Sequence, residues 1–247
     1  MNKQFEQERQ GRLDEIGQNT TLKASAAAFM KESTAPKYSY NFSWMGRPII
    51  QYPQDIMAMQ ELIWNIQPDL IIETGIAHGG SLIFEAAMLE LNAACGGPKD
   101  ARVLGIDINI RAHNRAAIEE HPMYKRITMI QGSSIDADII AQVKAHAAGK
   151  KRVLVALDSN HTHDHVLAEL EVYAHLATVG SYCVVFDTIV EDLPAGTYPD
   201  RSWGPGDNPK SAVWAYLKDH PEFEIDSNID NKLLISVAPQ GYLKRVR

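Results

Sequence analysis

Two acids, Asp158 and Asp187, close two apolar runs, RVLVALD at residues 152–158 and SYCVVFD at 181–187, and they are the first candidates for chemistry in this chain of 247 residues. If those runs are neighbouring strands, both carboxylates face one cleft, where they repel unless a cation or a shared proton intervenes. A hard divalent ion with oxygen ligands, Mg²⁺ before others, answers that need. Thr188 adds an oxygen beside Asp187, directly or through water, and Glu191 and Asp192 are further ligand candidates. Beyond Asp158 the run SNHTHDH supplies His161, His163 and His165. Imidazoles suit iron, zinc and copper, but three of them at two-residue steps on a loop are poorly placed to converge on one ion. His161 fits better as a general base near an acceptor hydroxyl, because an imidazole's ordinary pKa suits proton removal near neutrality. His163 and His165 read as surface or helix-start residues.

A second constellation lies upstream, in DLIIETGIAHGGSL at 69–82. Leu70, Ile71 and Ile72 form the compact apolar run of a strand buried on both faces. Gly75, Gly79 and Gly80 let the backbone turn tightly and approach a ligand, and Ser81 is placed to satisfy free N–H groups where a helix begins. The spacing is not G-x-G-x-x-G, since Ile76 and Ala77 follow Gly75 and the second glycine arrives at Gly79. It reads E-x-G-x-x-x-G-x-S from Glu73, and this resembles the first motif of many S-adenosylmethionine-dependent methyltransferases. An ordinary strand-to-helix turn is the plain alternative. The resemblance implies a donor site at Glu73, Gly75, Ala77, Gly79 and Ser81, with Asp158 beside it. Asp107, one unit later, is placed to accept from ribose hydroxyls. Ser133 and Ser134, in QGSSID, either edge the adenine or cap the next helix.

The elements that must position these residues alternate. Apolar residues Ile56, Met59, Ile63 and Ile66 mark a helix over 54–66, stopped by Pro68. Helices are predicted over 81–92, 111–120, 135–147 and 164–177, strands over 102–107, 126–131, 152–158 and 181–187. Such alternation implies a mostly parallel sheet with helices on both faces, and its ligands bind beyond the carboxyl ends of the strands, where Glu73, Asp107, Asp158 and Asp187 fall. The Pro- and Gly-rich stretch 189–209 is long for a connection and reads as a lid or substrate loop. Asn208-Pro209 starts a helix ending near His220, and strands over 222–226 and 232–238 close the sheet as a hairpin. Residues 1–37 form a helical or mobile extension that covers the site or joins a homo-oligomer, ahead of one α/β domain over 38–247.

Composition narrows little beyond this. Hydrophobic residues at 45% and charged residues at 22% suit a globular protein. A formal charge of −7 argues against a broad basic face for nucleic acid. Two cysteines without C-x-x-C spacing, no apolar run near the roughly 20 residues of a membrane span and a polar N-terminal stretch point to the cytoplasm.

From about Tyr38 onward the chain resembles the cephalosporin hydroxylase and rhamnosyl O-methyltransferase family, in NFSWMGRPIIQYPQD, ETGIAHGGSL, GIDI, LDSNHTHDHVLAELEVY, VVFDTIVED, NPKSAVWAYL and NKLLISVAPQGYLKR. The resemblance implies an S-adenosylmethionine-dependent enzyme with a Rossmann-like Class I methyltransferase sheet, ending in an antiparallel strand. A more distant resemblance links it to catechol-type, Mg²⁺-dependent O-methyltransferases. Their metal aspartates fall at Asp158 and Asp187, their lysine at His161 and their asparagine ligand at Thr188. The expectation is methyl transfer, with a divalent metal, to a hydroxyl of a sugar or antibiotic-like natural product. The alternatives are a metal-dependent hydroxylase and a cofactor-binding protein without turnover.

Overall fold

The structure, a computed structural model, describes residues 2–247. Two helices open the chain, α1 (Lys3–Gln18) and α2 (Thr20–Thr34), their first turns closed by the side chains of Asn2 and Asn19. A two-residue hairpin, β1 (Ser43–Trp44) with β2 (Arg47–Pro48), leads into α3 (Pro53–Ile66). Then come β3 (Leu70–Thr74), α4 (Gly80–Ala94), β4 (Arg102–Asp107), α5 (Ala112–Glu119), β5 (Ile127–Gln131) and α6 (Ala137–Ala147). The second half holds β6 (Val153–Leu157), α7 (His163–Tyr173), β7 (Tyr182–Val185), α8 (Pro209–Tyr216), β8 (Phe223–Ile225), α9 (Ser227–Leu233) and β9 (Tyr242–Arg245).

Seven strands form one sheet in the order β5-β4-β3-β6-β7-β9-β8. β5, β4, β3, β6 and β7 run parallel, and β9 is antiparallel to both of its neighbours. The mostly parallel sheet with an antiparallel C-terminal strand is therefore present. Its centre is buried on both faces, as the runs LII and VLVAL require. Ile71 and Leu154, paired in register, join the core under α3 and α4, while Ile72 and Val155 join the opposite core under α7. Each such side chain contributes about 1.5–3 kcal/mol on burial. Chain order reverses between β3 and β6, the switch point beyond whose carboxyl ends sheets of this kind bind ligands.

One expected element differs. Residues 232–238 are no strand: α9 occupies Ser227–Leu233, and the sheet is closed by Tyr242–Arg245. Asp226 caps α9 through the Asn228 N–H at 3.1 Å, and Leu234 turns away at φ 59. Ser236 and Val237 instead bind the Asp55 carboxylate of α3. Among the described residues no helix is long and apolar enough to cross a membrane.

Candidate active site

The donor half begins where β3 runs out. Gly75, Ala77 and Gly79 have φ of 93, 44 and 80, so the turn is left-handed at three points. A Cβ on Gly75 would collide with the carbonyl oxygen of Asp158, and one on Gly79 with the Ile118 side chain. Ala77 has no glycine's freedom, and its conformation is held from outside. Asp107, at the end of β4, accepts from the N–H groups of Ile76 (2.8 Å) and Ala77 (3.3 Å) through one oxygen and from Asn109 (2.9 Å) through the other. Asn114 of α5 donates to the Ala77 carbonyl at 2.8 Å, and Arg47 of the hairpin binds the His78 carbonyl and Asn114. Arg47 and Asn114 were not singled out from sequence; nothing in their local spacing tells of a contact 67 residues apart.

Three expected details come out otherwise. Ser81 does not cap α4, whose N-cap is Gly79, because its hydroxyl donates to Glu73. Neither Ser133 nor Ser134 caps α6, which starts after Asp136. The Ser133 carbonyl accepts from Asp136 N–H at 3.0 Å, and Ser134 is buried with Oγ 3.2 Å from His165 Nε2 and its carbonyl under the Tyr173 hydroxyl.

Below the glycine turn lies a small pocket lined by Gln51, Asp55, Glu73, Glu85 and Asp158 among apolar side chains that include Met59 and Phe186. No lysine or arginine lines it. Burial pushes the Glu73 carboxyl up to about 7 against the hydrogen bond from Ser81. Burial, and then the proximity of Glu73, holds Glu85 well above the usual carboxylate range. Glu85 Oε2 and Gln51 Oε1 are buried and lack a hydrogen-bond partner. Buried acceptors of that kind are costly unless a donor arrives. A ligand that brings an ammonium group matches this lining.

Beyond β6 and β7, Asp158, His161 and Asp187 each offer one atom within 4.8 Å of the others. His161 Nε2 lies 3.1 Å from Asp187 Oδ2. Burial first, then Asp187 and Glu73, raises the Asp158 carboxyl well above its ordinary range. A divalent cation reverses that imbalance, and the two carboxylates offer the oxygen donors that fit it, with His161 beside them. Asp187 stands in the left-handed region at φ 55, two residues past the end of β7.

The other ligand candidates are engaged elsewhere. Thr188 is fully buried and its hydroxyl donates to the Pro239 carbonyl at 2.8 Å. Glu191 accepts from Gly206 N–H and the Asn208 amide, and Asp192 pairs with Lys210. His163 starts α7, its Nδ1 2.8 Å from Ser211 Oγ. His165 Nε2 sits among Ser134, Ser159 (3.3 Å) and Glu169 (3.5 Å).

The profile of the family described as Rhamnosyl O-methyltransferase/CmcI matches residues 36–246. A rhamnosyl O-methyltransferase of Mycobacterium tuberculosis is 31% identical over 207 residues, 82% of this chain and 78% of its own. Its counterpart in Mycobacterium leprae is 30% identical over 204 residues, 82% of each chain. Among solved structures, CmcI with Mg and SAM has a TM-score of 0.57 at 20% identity, covering 84% of this chain and 78% of that one; it shares the fold.

Proposed function

The chain belongs to the rhamnosyl O-methyltransferase/CmcI family, and on that premise we propose that it transfers the methyl group of S-adenosylmethionine to a hydroxyl of a sugar or antibiotic-like natural product, with Mg²⁺. The observation that carries this reading is the abutment of Gly75 on Asp158, which sets a glycine turn with an acid-lined pocket directly against the Asp158, His161 and Asp187 cluster.

On this reading Glu73, Gly75, Ala77, Gly79, Ser81 and Asp107 hold the donor, with Ser133, Ser134 and Asp158 at its edges. The ammonium of the methionine portion enters the pocket that Gln51 and Glu85 leave unsatisfied. Asp158 and Asp187 would hold the metal, which when bound would supply Lewis-acid polarisation and orientation of the acceptor hydroxyl. His161 takes the hydroxyl proton at the ring nitrogen that Asp187 does not engage, its ring fixed by the Nε2 contact to that carboxylate. The oxygen forms a bond to the methyl carbon as the carbon–sulfur bond breaks and the sulfonium becomes a neutral thioether. Thr188 supports the position of Asp187 from its hydrogen bond to Pro239.

A hydroxylase reading needs imidazoles around an iron-type centre. His163 and His165 are held by Ser211, Ser134 and Ser159, which leaves one histidine beside two carboxylates. We further assign residues 1–37 as an extension of a domain over 38–247, a homo-oligomeric state and a cytoplasmic site of action. Calorimetry with S-adenosylhomocysteine, with and without Mg²⁺, tests the donor site, and absence of binding in both conditions overturns it. A radiolabelled methyl assay over a panel of glycosides tests the acceptor class.

A further inference from the structure

Within the long 189–209 segment, six consecutive residues, Tyr198-Pro199-Asp200-Arg201-Ser202-Trp203, bring together two aromatic rings, an acid, a guanidinium and a hydroxyl. None of them lines the donor pocket. The segment is pinned rather than free. A backbone bridge joins Gly204 and Asp207 at 3.0 Å in both directions, Glu191 holds Gly206 and Asn208, and Asp207 accepts from His163 N–H at 2.7 Å. Arg201 N–H donates to the Tyr198 carbonyl at 3.1 Å, which folds the six residues into a turn.

This turn delivers Trp203 to the proposed base. The Trp203 and His161 rings meet edge to face, 5.2 Å apart at 88°. Tyr198 stands 4.7 Å from Trp203 at 59°, so the two rings make a corner and not a slot. Both rings are half-buried. Through its contact with His161 the corner stands beside the Asp158, His161 and Asp187 cluster. The exposed Arg201 guanidinium lies 5.9 Å from the Trp203 centroid, at the outer limit of a cation–π contact, and an incoming group can share or displace it.

We propose that Trp203 and Tyr198 seat a pyranosyl ring of the acceptor, which lays its C–H face on the indole and brings one hydroxyl to His161, while Arg201 and the polar groups of the turn meet the remaining hydroxyls. This rests on the methyl-transfer reading and names the acceptor's class. A pyranose has an apolar face and a polar perimeter, and a half-exposed indole ringed by donors and acceptors complements both. A flat arene needs two near-parallel walls, which a 59° corner does not give.

The test uses the full chain with S-adenosylhomocysteine and Mg²⁺, and two probes, methyl rhamnopyranoside and catechol. Saturation-transfer NMR on the wild type is expected to light one C–H face of the glycoside. Trp203→Ala is expected to weaken glycoside binding tenfold or more, Trp203→Phe to retain part of it, and both to keep S-adenosylhomocysteine affinity within twofold. Glycoside binding unchanged in Trp203→Ala, catechol bound in place of the glycoside, or a parallel loss of S-adenosylhomocysteine affinity overturns the inference while leaving the donor reading standing. Failure of the wild type to bind S-adenosylhomocysteine overturns both.

Discussion

Gly75 and Asp158 share a wall: a side chain on the first has no room beside the backbone carbonyl of the second. The two residues end adjacent parallel strands, β3 and β6, whose register sets Thr74 opposite Leu157, and Asp158 N–H donates to the Thr74 carbonyl at 2.9 Å. The donor turn and the acidic cluster are therefore one rigid unit. Displacing either moves the other.

Gly75→Ala is expected to damage both halves together. A left-handed non-glycine residue costs about 1–3 kcal/mol from the backbone alone, and the collision with Asp158 adds to it. Urea denaturation should show the lost stability, and calorimetry should show S-adenosylhomocysteine and Mg²⁺ affinity falling in parallel. Loss of one affinity with the other intact would contradict a shared wall.

Asp158→Asn separates what Gly75→Ala joins. The amide keeps the volume and removes the charge that would hold a divalent ion. Several kcal/mol of transition-state stabilisation correspond to a rate loss of about a hundredfold or more. Turnover should therefore drop at least that far and lose its response to added Mg²⁺, while S-adenosylhomocysteine affinity changes little. Unchanged turnover would remove the metal role from Asp158.

Glu73 and Glu85 make cofactor affinity pH-dependent. In the folded chain Glu73 is raised from 4.5 to about 7, and Glu85 lies above its ordinary value as well. The fold thus holds these protons more tightly than the unfolded chain. The resulting stability is complete below 4.5 and is lost as pH rises through about 7. An ammonium entering the pocket favours the ionised form, so its binding expels protons and strengthens as pH rises across that window. Calorimetry of S-adenosylhomocysteine at about pH 6, in two buffers of unlike ionisation enthalpy, should give different heats. Glu73→Gln should narrow the difference, and Glu73→Gln with Glu85→Gln should abolish it. Identical heats in the wild type would show that no proton leaves.

How far sequence reaches is visible in particular residues. β3 and β6 were legible because LII and VLVAL allow burial on both faces, and the strand-end acids were legible because parallel strands deliver their C-terminal residues to one edge. Residues 232–238 misled because KLLISVA has strand propensity taken locally, whereas Ser236 is spent on Asp55, 181 residues away. Arg47 and Asn114 stayed hidden for the same reason, since their roles exist only after the hairpin and α5 meet the glycine turn. Ligand candidates on the loops were over-counted: Glu191 and Asp192 have the right chemistry, but the loop uses them to fasten itself.

Asp55 turns that misread segment into a further expectation. Its fully buried carboxylate accepts from Ser236 Oγ at 2.6 Å and from Val237 N–H and the Tyr242 hydroxyl at 2.9 Å each. Burial still raises it from 3.8 to about 6, against all three hydrogen bonds. Asp55→Ala leaves three buried donors without an acceptor, at about 1–3 kcal/mol each. Tyr242→Phe removes a single bond, worth about 1 kcal/mol. Because the folded pKa is raised, the stability contributed by Asp55 is complete below 3.8 and lost as pH climbs through about 6. Urea denaturation at either side of that window should show the slope in the wild type and a flatter one in Asp55→Asn. The same turn holds the active site, since Val237 accepts from Ile189 N–H at 3.1 Å and Pro239 accepts from Thr188. Asp55→Asn should therefore lower turnover more than it lowers S-adenosylhomocysteine affinity, because the residue that moves first is the neighbour of Asp187.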